Sequence, residues 1–116
     1  MTWEEVRAVA MALPDVQEGM AYGFPALKVK GKLLTRLRPE DQSLVLGDVG
    51  FDERDMLLEA DPETFHLTPH YQGYPCILAR LEALDARTLR FFLERRWRRA
   101  APKATVKAYD KAALPS

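Results

Sequence analysis

Apolar residues recur at helical spacing from the start of the chain, with Trp3, Val6, Val9, Ala10 and Leu13 sharing one face ahead of Pro14. Thr2 and Glu5 have the spacing of a capping box, so the pattern predicts a first helix over residues 3–13. Between Gly19 and Arg38 the period falls to two. Leu27 and Val29 alternate with Lys28 and Lys30, Lys30-Gly31-Lys32 supplies a turn, and Leu33, Thr35 and Leu37 alternate with Leu34, Arg36 and Arg38. This predicts a hairpin with Leu27, Val29, Leu33 and Leu37 facing the core and Lys28, Lys30, Arg36 and Arg38 facing outward. The run SLVLG at 43–47, set between Pro39-Glu40-Asp41 and Gly50, reads as a third strand.

Asp52 is placed to cap a second helix over 53–60, with Phe51 and Met56 as a staple and Asp61-Pro62 as the stop. CILARL at 76–81 has strand composition. Asp85 then caps a third helix, Leu84 and Leu89 form its staple, and Leu89, Phe92, Leu93, Trp97 and Ala100 make an apolar stripe that runs until Pro102. Residues from about 104 to 116 lack a strong period and read as a loosely held tail. The order of elements predicts an α+β fold of two layers in a single domain, 1–116: a mostly antiparallel sheet with helices packed on one face and solvent on the other.

Composition supports one core. With 116 residues, 47% of them hydrophobic, the chain should bury roughly two-thirds of the surface it exposes when unfolded. No long uncharged apolar run occurs, and the start MTWEEVRAV lacks the basic and apolar regions of a signal, so a cytoplasmic protein with no membrane partner is expected. A lone Cys76 excludes an internal disulfide. Seventeen basic and seventeen acidic residues cancel. Their distribution does not: residues 1–86 hold eight basic against fifteen acidic side chains, a balance of −7, and residues 87–116 hold nine against two, a balance of +7. Such a division fits either a polyanion partner or an acidic body neutralised by its own basic helix.

Candidate chemistry concentrates in FHLTPHYQGYP, Phe65–Pro75, which holds both histidines and two of the four tyrosines. His66 and His70 are four apart, but Pro69 between them opposes a helix, and on a strand they would lie about 13 Å apart, so a metal pair is not indicated. Cys76 beside a histidine could make a thiolate–imidazole pair, yet no glycine elbow or oxyanion hole accompanies it. Acid–base work by His70 with Tyr71 or Tyr74 has no substrate to specify it. The simpler reading is a rigid corner in which Thr68-Pro69 and Tyr74-Pro75 fix the backbone and Gly73 gives a flexible point, so that replacing Pro69 or Gly73 lowers stability and His70→Ala does so modestly. No GxGxxG or GxxxxGK[ST] phosphate loop is present.

Taken together and in order, ALPDVQEG, GFPALKVKGK, DPETFHLTPHYQGYP, RLEALD and RRWRRAAPK resemble the MmcQ/YjbR family of small bacterial proteins over nearly the whole chain. Arg96 departs from the small residue expected there before the tryptophan. The resemblance implies a CyaY-like or frataxin-like fold related to a double-wing domain, and a non-enzymatic DNA-binding protein with no catalytic residue, metal or cofactor. On that expectation Lys28, Lys30, Arg36 and Arg38 meet phosphates from the outer sheet face. Arg95, Arg98 and Arg99 on the third helix form an alternative basic face. The third alternative is a small-molecule or protein-interaction site, or an uncharacterised active site, at His66, Thr68, His70, Tyr71 and Tyr74. DNA is the expected partner and a monomer the expected state.

Overall fold

The computed structural model describes residues 1–113. The elements run α1 (Trp3–Met11), β1 (Val16–Ala21), β2 (Phe24–Val29), β3 (Lys32–Arg38), β4 (Ser43–Gly47), α2 (Phe51–Ala60), β5 (Phe65–His66), a 3-10 turn (Pro69–Tyr71), β6 (Cys76–Arg80), α3 (Ala86–Ala100) and α4 (Lys103–Ala113). The strands form one six-stranded sheet in the order β1-β2-β3-β4-β6-β5, antiparallel throughout. The α+β fold expected from the pattern is the one found. No helix among the described residues is long and apolar enough to cross a membrane.

Both predicted side-chain caps on the outer helices are present. The Thr2 hydroxyl and the Glu5 carboxylate close a capping box on α1, and Asp85 accepts from the Thr88 amide at 2.7 Å on α3. The stripe of α3 is also as predicted: Leu89, Phe92, Leu93, Trp97 and Ala100 are its buried residues, and they meet Val6 and Ala10 of α1 and Leu27, Val29, Leu44, Leu46 and Ile77 of the sheet. Trp97 is fully buried and its indole N–H donates to the Pro14 carbonyl at 2.9 Å, so the largest core side chain leaves no unmet donor. Helix α2 differs from expectation at its start. It begins at Phe51 behind Gly50, Asp52 lies in the first turn rather than at the cap, and Phe51 and Met56 stay exposed instead of stapling.

Two features of the sheet were not legible in the alternation. Val16–Ala21 is a strand, joined to β2 through Tyr22 and Gly23, and β2 is joined to β3 through Lys30 and Gly31. Each two-residue loop has positive φ at both positions, the type I′ geometry that matches strand twist. The second feature is a β-bulge. Leu27 pairs with Thr35 and Lys28 with Leu33, which leaves Leu34 as one extra residue on β3. The bulge shifts the phase of the strand, so Leu34 enters the main core and Leu33 turns to the opposite face, the reverse of the predicted assignment.

The tail expected to be loose is helix α4 as far as Ala113; residues 114–116 lie outside the described residues. Val106 and Tyr109 pack on the main core, the Tyr109 ring meets Trp97 at 5.0 Å, and its hydroxyl bonds Arg90 and Glu94. The end of the chain thus seals the edge of the buried tryptophan. Tyr109→Ala should therefore lower stability by about 1–2 kcal/mol in denaturant unfolding. A loosely held tail would show no change.

Candidate functional site

The segment after β5 crosses the outer face of the sheet as a strap. Thr68 is extended ahead of Pro69, the 3-10 turn follows, and Tyr74-Pro75 leads into β6. Tyr71 and Leu67 pack down on Val45, Cys76 and Leu78, making a second small apolar cluster on the side away from the helices. The outer face is therefore not the solvated surface expected. Its central strands are covered.

An irregular strap leaves backbone carbonyls without ladder partners, and these must be met by donors. Arg54 of α2 meets three of them. Its guanidinium donates to the carbonyls of Tyr74 at 2.9 Å, Gln72 at 3.1 Å and Tyr71 at 3.4 Å, while the side chain itself is buried. Nothing in the acid-rich sequence around Arg54 marks it for this role. The side chains of His66 and Tyr71 bond Ser43 and Arg36 instead of the strap backbone.

Between the strap, the β1–β2 turn and the sheet lies an open cavity of about 520 Å³. Leu33, Val45 and Cys76 contribute its apolar surface, Tyr22, His70, Tyr71 and Tyr74 its rings, and Arg36 its charge. The bulge matters here because it delivers Leu33 to this face. His70 stands edge-on to Tyr71, with centroids 4.7 Å apart, and Tyr74 and Tyr22 remain exposed at the rim. Of the five residues singled out in the strap, His70, Tyr71 and Tyr74 line this cavity. His66 and Thr68 do not, and the Thr68 hydroxyl is buried without a partner among the described residues.

The expected phosphate-binding face is largely engaged within the fold. Arg36 is only 8% exposed and donates to the Tyr71 hydroxyl; Arg38 pairs with Asp41 at 3.1 Å and lies 5.3 Å from the Tyr71 ring centre. Lys28 is half-buried and Lys30 exposed in the turn. The alternative basic face is also neutralised. Arg95 grips Glu53 with two bonds of 2.8 and 2.9 Å, Arg98 grips Asp110 likewise, and Arg96 spans from the Leu33 carbonyl to Asp48. Arg99 alone of the three alternative residues is open, with Asp48 at 3.8 Å. Part of the basic C-terminal segment thus answers acids of the body, Glu53 and Asp48, and of α4, Asp110.

The His66 ring contacts Ser43 and Asp41 through a single nitrogen. His66 Nε2 lies 2.7 Å from the Ser43 hydroxyl, but Ser43 is fully buried, and Asp41 lies 3.9 Å from that same nitrogen rather than across the ring, so this is no relay. Burial pushes the Cys76 thiol up, only partly opposed by the charge of Arg54. His66 is held below the usual histidine range, first by burial and then by the positive charges of Arg80 and Arg38, which outweigh Asp41. For Asp41 burial acts upward, but hydrogen bonding and charge from Arg38 prevail and lower it.

No family model and no solved structure matches the chain. It is similar to uncharacterized proteins of Mycobacterium tuberculosis and Mycobacterium bovis, 28% identical over 122 residues, covering 93% of this chain and 95% of each relative.

Two outcomes follow for the strap. Arg54→Met should cost about 1–3 kcal/mol in chemical unfolding, because it leaves the Gln72 carbonyl without a donor and removes the second donor of the Tyr71 and Tyr74 carbonyls. By contrast Gly73→Ala should be neutral or slightly stabilising: Gly73 has no positive φ and a methyl there meets open space, contrary to the sequence expectation. For His66 the unfolded chain takes up the proton at higher pH than the fold does. The stability of the neutral ring is thus full above about pH 6.5 and is lost as pH falls below it, and His66→Gln should flatten the rise in melting temperature between about pH 5 and 7.

Proposed function

We propose that this chain is a non-enzymatic binding protein of the MmcQ/YjbR type, and that its site is the cavity between the strap and the outer sheet face. The observation that carries this reading is the cavity itself: about 520 Å³, within the range of small-molecule sites, with an apolar floor and a ring of four aromatic side chains. The exposed rings of Tyr22 and Tyr74 at its mouth are surface that a ligand would remove from water. The Cys76 thiol on the cavity is buried and pushed up by that burial, which favours binding over covalent chemistry there.

A second reading keeps DNA as the partner. It is favoured by Lys28, Lys30 and Lys32 on the β2–β3 hairpin, which form no ion pair among the described residues and so leave three charges for phosphates. Titration of a labelled random duplex and of a small-molecule fragment set, each at about 50 and 200 mM salt, separates the two. Fragment-induced amide shifts at His70, Tyr71, Tyr74 and Cys76 that persist at the higher salt, with no duplex binding, are expected. Micromolar duplex binding that collapses at the higher salt and disappears in the Lys28→Ala, Lys30→Ala, Lys32→Ala triple variant would give the function to the hairpin instead.

A further inference from the structure

Arg36 is the unusual group in the cavity. It is 8% exposed, yet no carboxylate among the described residues lies within ion-pair distance of it, whereas Arg38, Arg95, Arg96 and Arg98 each have one and the equally buried Arg54 meets three carbonyls. Its partners are neutral. The guanidinium donates to the Leu37 carbonyl at 3.3 Å and to the Tyr71 hydroxyl, and its centre lies 5.4 Å from the Tyr22 ring and 5.8 Å from the Phe24 ring. A guanidinium carries five N–H donors, so this one has capacity left over, and a charge taken out of water without a counter-charge is costly.

The cavity lining contains no acid to supply that counter-charge. The Tyr71 hydroxyl accepts from Arg36 and so has its own proton to give, which makes the Arg36–Tyr71 corner a set of donors converging on a place for one acceptor group. The rest of the lining is apolar or aromatic. Tyr22 adds a further sign, because it holds a left-handed backbone (φ 54) that asparagine or glycine would adopt more cheaply, while its ring is 85% exposed over the site.

Resting on the pocket reading above, we propose that the ligand is a flat, largely apolar carboxylic acid. Its carboxylate receives hydrogen bonds from Arg36 and the Tyr71 hydroxyl, and its body lies on Leu33, Val45 and Cys76 against the rings of Tyr22 and Tyr74. A monoanion fits better than a phosphate ester. The lining offers one guanidinium and no lysine, and the planar fork of an arginine matches a carboxylate in two parallel bonds.

The test is calorimetric titration of the full chain with naphthoate, with naphthamide as the neutral molecule of the same shape, and with naphthyl phosphate, alongside amide NMR shifts. Naphthoate should bind at least about tenfold tighter than naphthamide, a gap that Arg36→Met erases and Arg36→Lys restores in part. Tyr22→Ala, a change at an exposed position, should weaken naphthoate and naphthamide alike and leave their ratio unchanged, so the proposal stays testable even where Arg36→Met does not fold. Equal binding of acid and amide, with shifts at His70, Tyr74 and Cys76, would keep the pocket and overturn the carboxylate. A tenfold preference for naphthyl phosphate would also overturn it. Absence of binding and of shifts with all three would remove the pocket reading along with it.

Discussion

The strap over the outer sheet face is tied to α2 by one buried guanidinium, that of Arg54. The carbonyls of Tyr71 and Tyr74 also accept from the Tyr74 and Cys76 amides, but without Arg54 the Gln72 carbonyl would have no donor and the strap would lose its three bonds to α2. With it, the strap brings Tyr71 down on Leu78 and Val45, closes one wall of the cavity and places the Tyr71 hydroxyl against Arg36. Arg54 thus acts through the strap it holds in place. It works because an arginine fork reaches several acceptors in different directions, which a lysine would not do as well.

The two ends of the chain's charge are reconciled on α3. Arg95 reaches Glu53 of α2, Arg96 reaches Asp48 beside β4, and Arg98 reaches Asp110 of α4, so the basic helix is tied on three sides to neighbouring elements. Such pairs at partly exposed positions add little stability each, but they define where α2 and α4 sit relative to α3. They leave Arg99 as the open member of Arg95, Arg98 and Arg99. Arg96 shows how a charged residue fits within an otherwise apolar stripe: its stem packs along the helix while its head leaves the core for Asp48 and the Leu33 carbonyl.

Much of the fold was legible because local signals carried it. The caps at Thr2 and Asp85, the stripe of α3, the Lys30-Gly31 turn and the strands β2, β4 and β6 all express spacing and turn chemistry that act over a few residues. The first strand, Val16–Ala21, was not legible, since its burial follows no alternation and only pairing with β2 makes it a strand. Of the site, the strap residues His70, Tyr71 and Tyr74 stood out by composition. Arg36 stood out for the wrong reason: alternation placed it on the outer face, and nothing local told that the strap would bury that face.

What the sequence alone determined is therefore the class of fold, the inner face of the sheet and the segment most worth watching, because helix periodicity, capping and turn preference are short-range. The tertiary structure decided the rest. A single extra residue at Leu34 reversed which leucine of β3 meets the helices, and the long-range bonds of Arg54 turned an expected open basic surface into a covered one. Both effects depend on partners far along the chain, between strands in one case and between a helix and a strap in the other. The charge that was to face solvent became a nearly buried guanidinium over an apolar floor, because burial is a property of what packs above a residue, which no local pattern records.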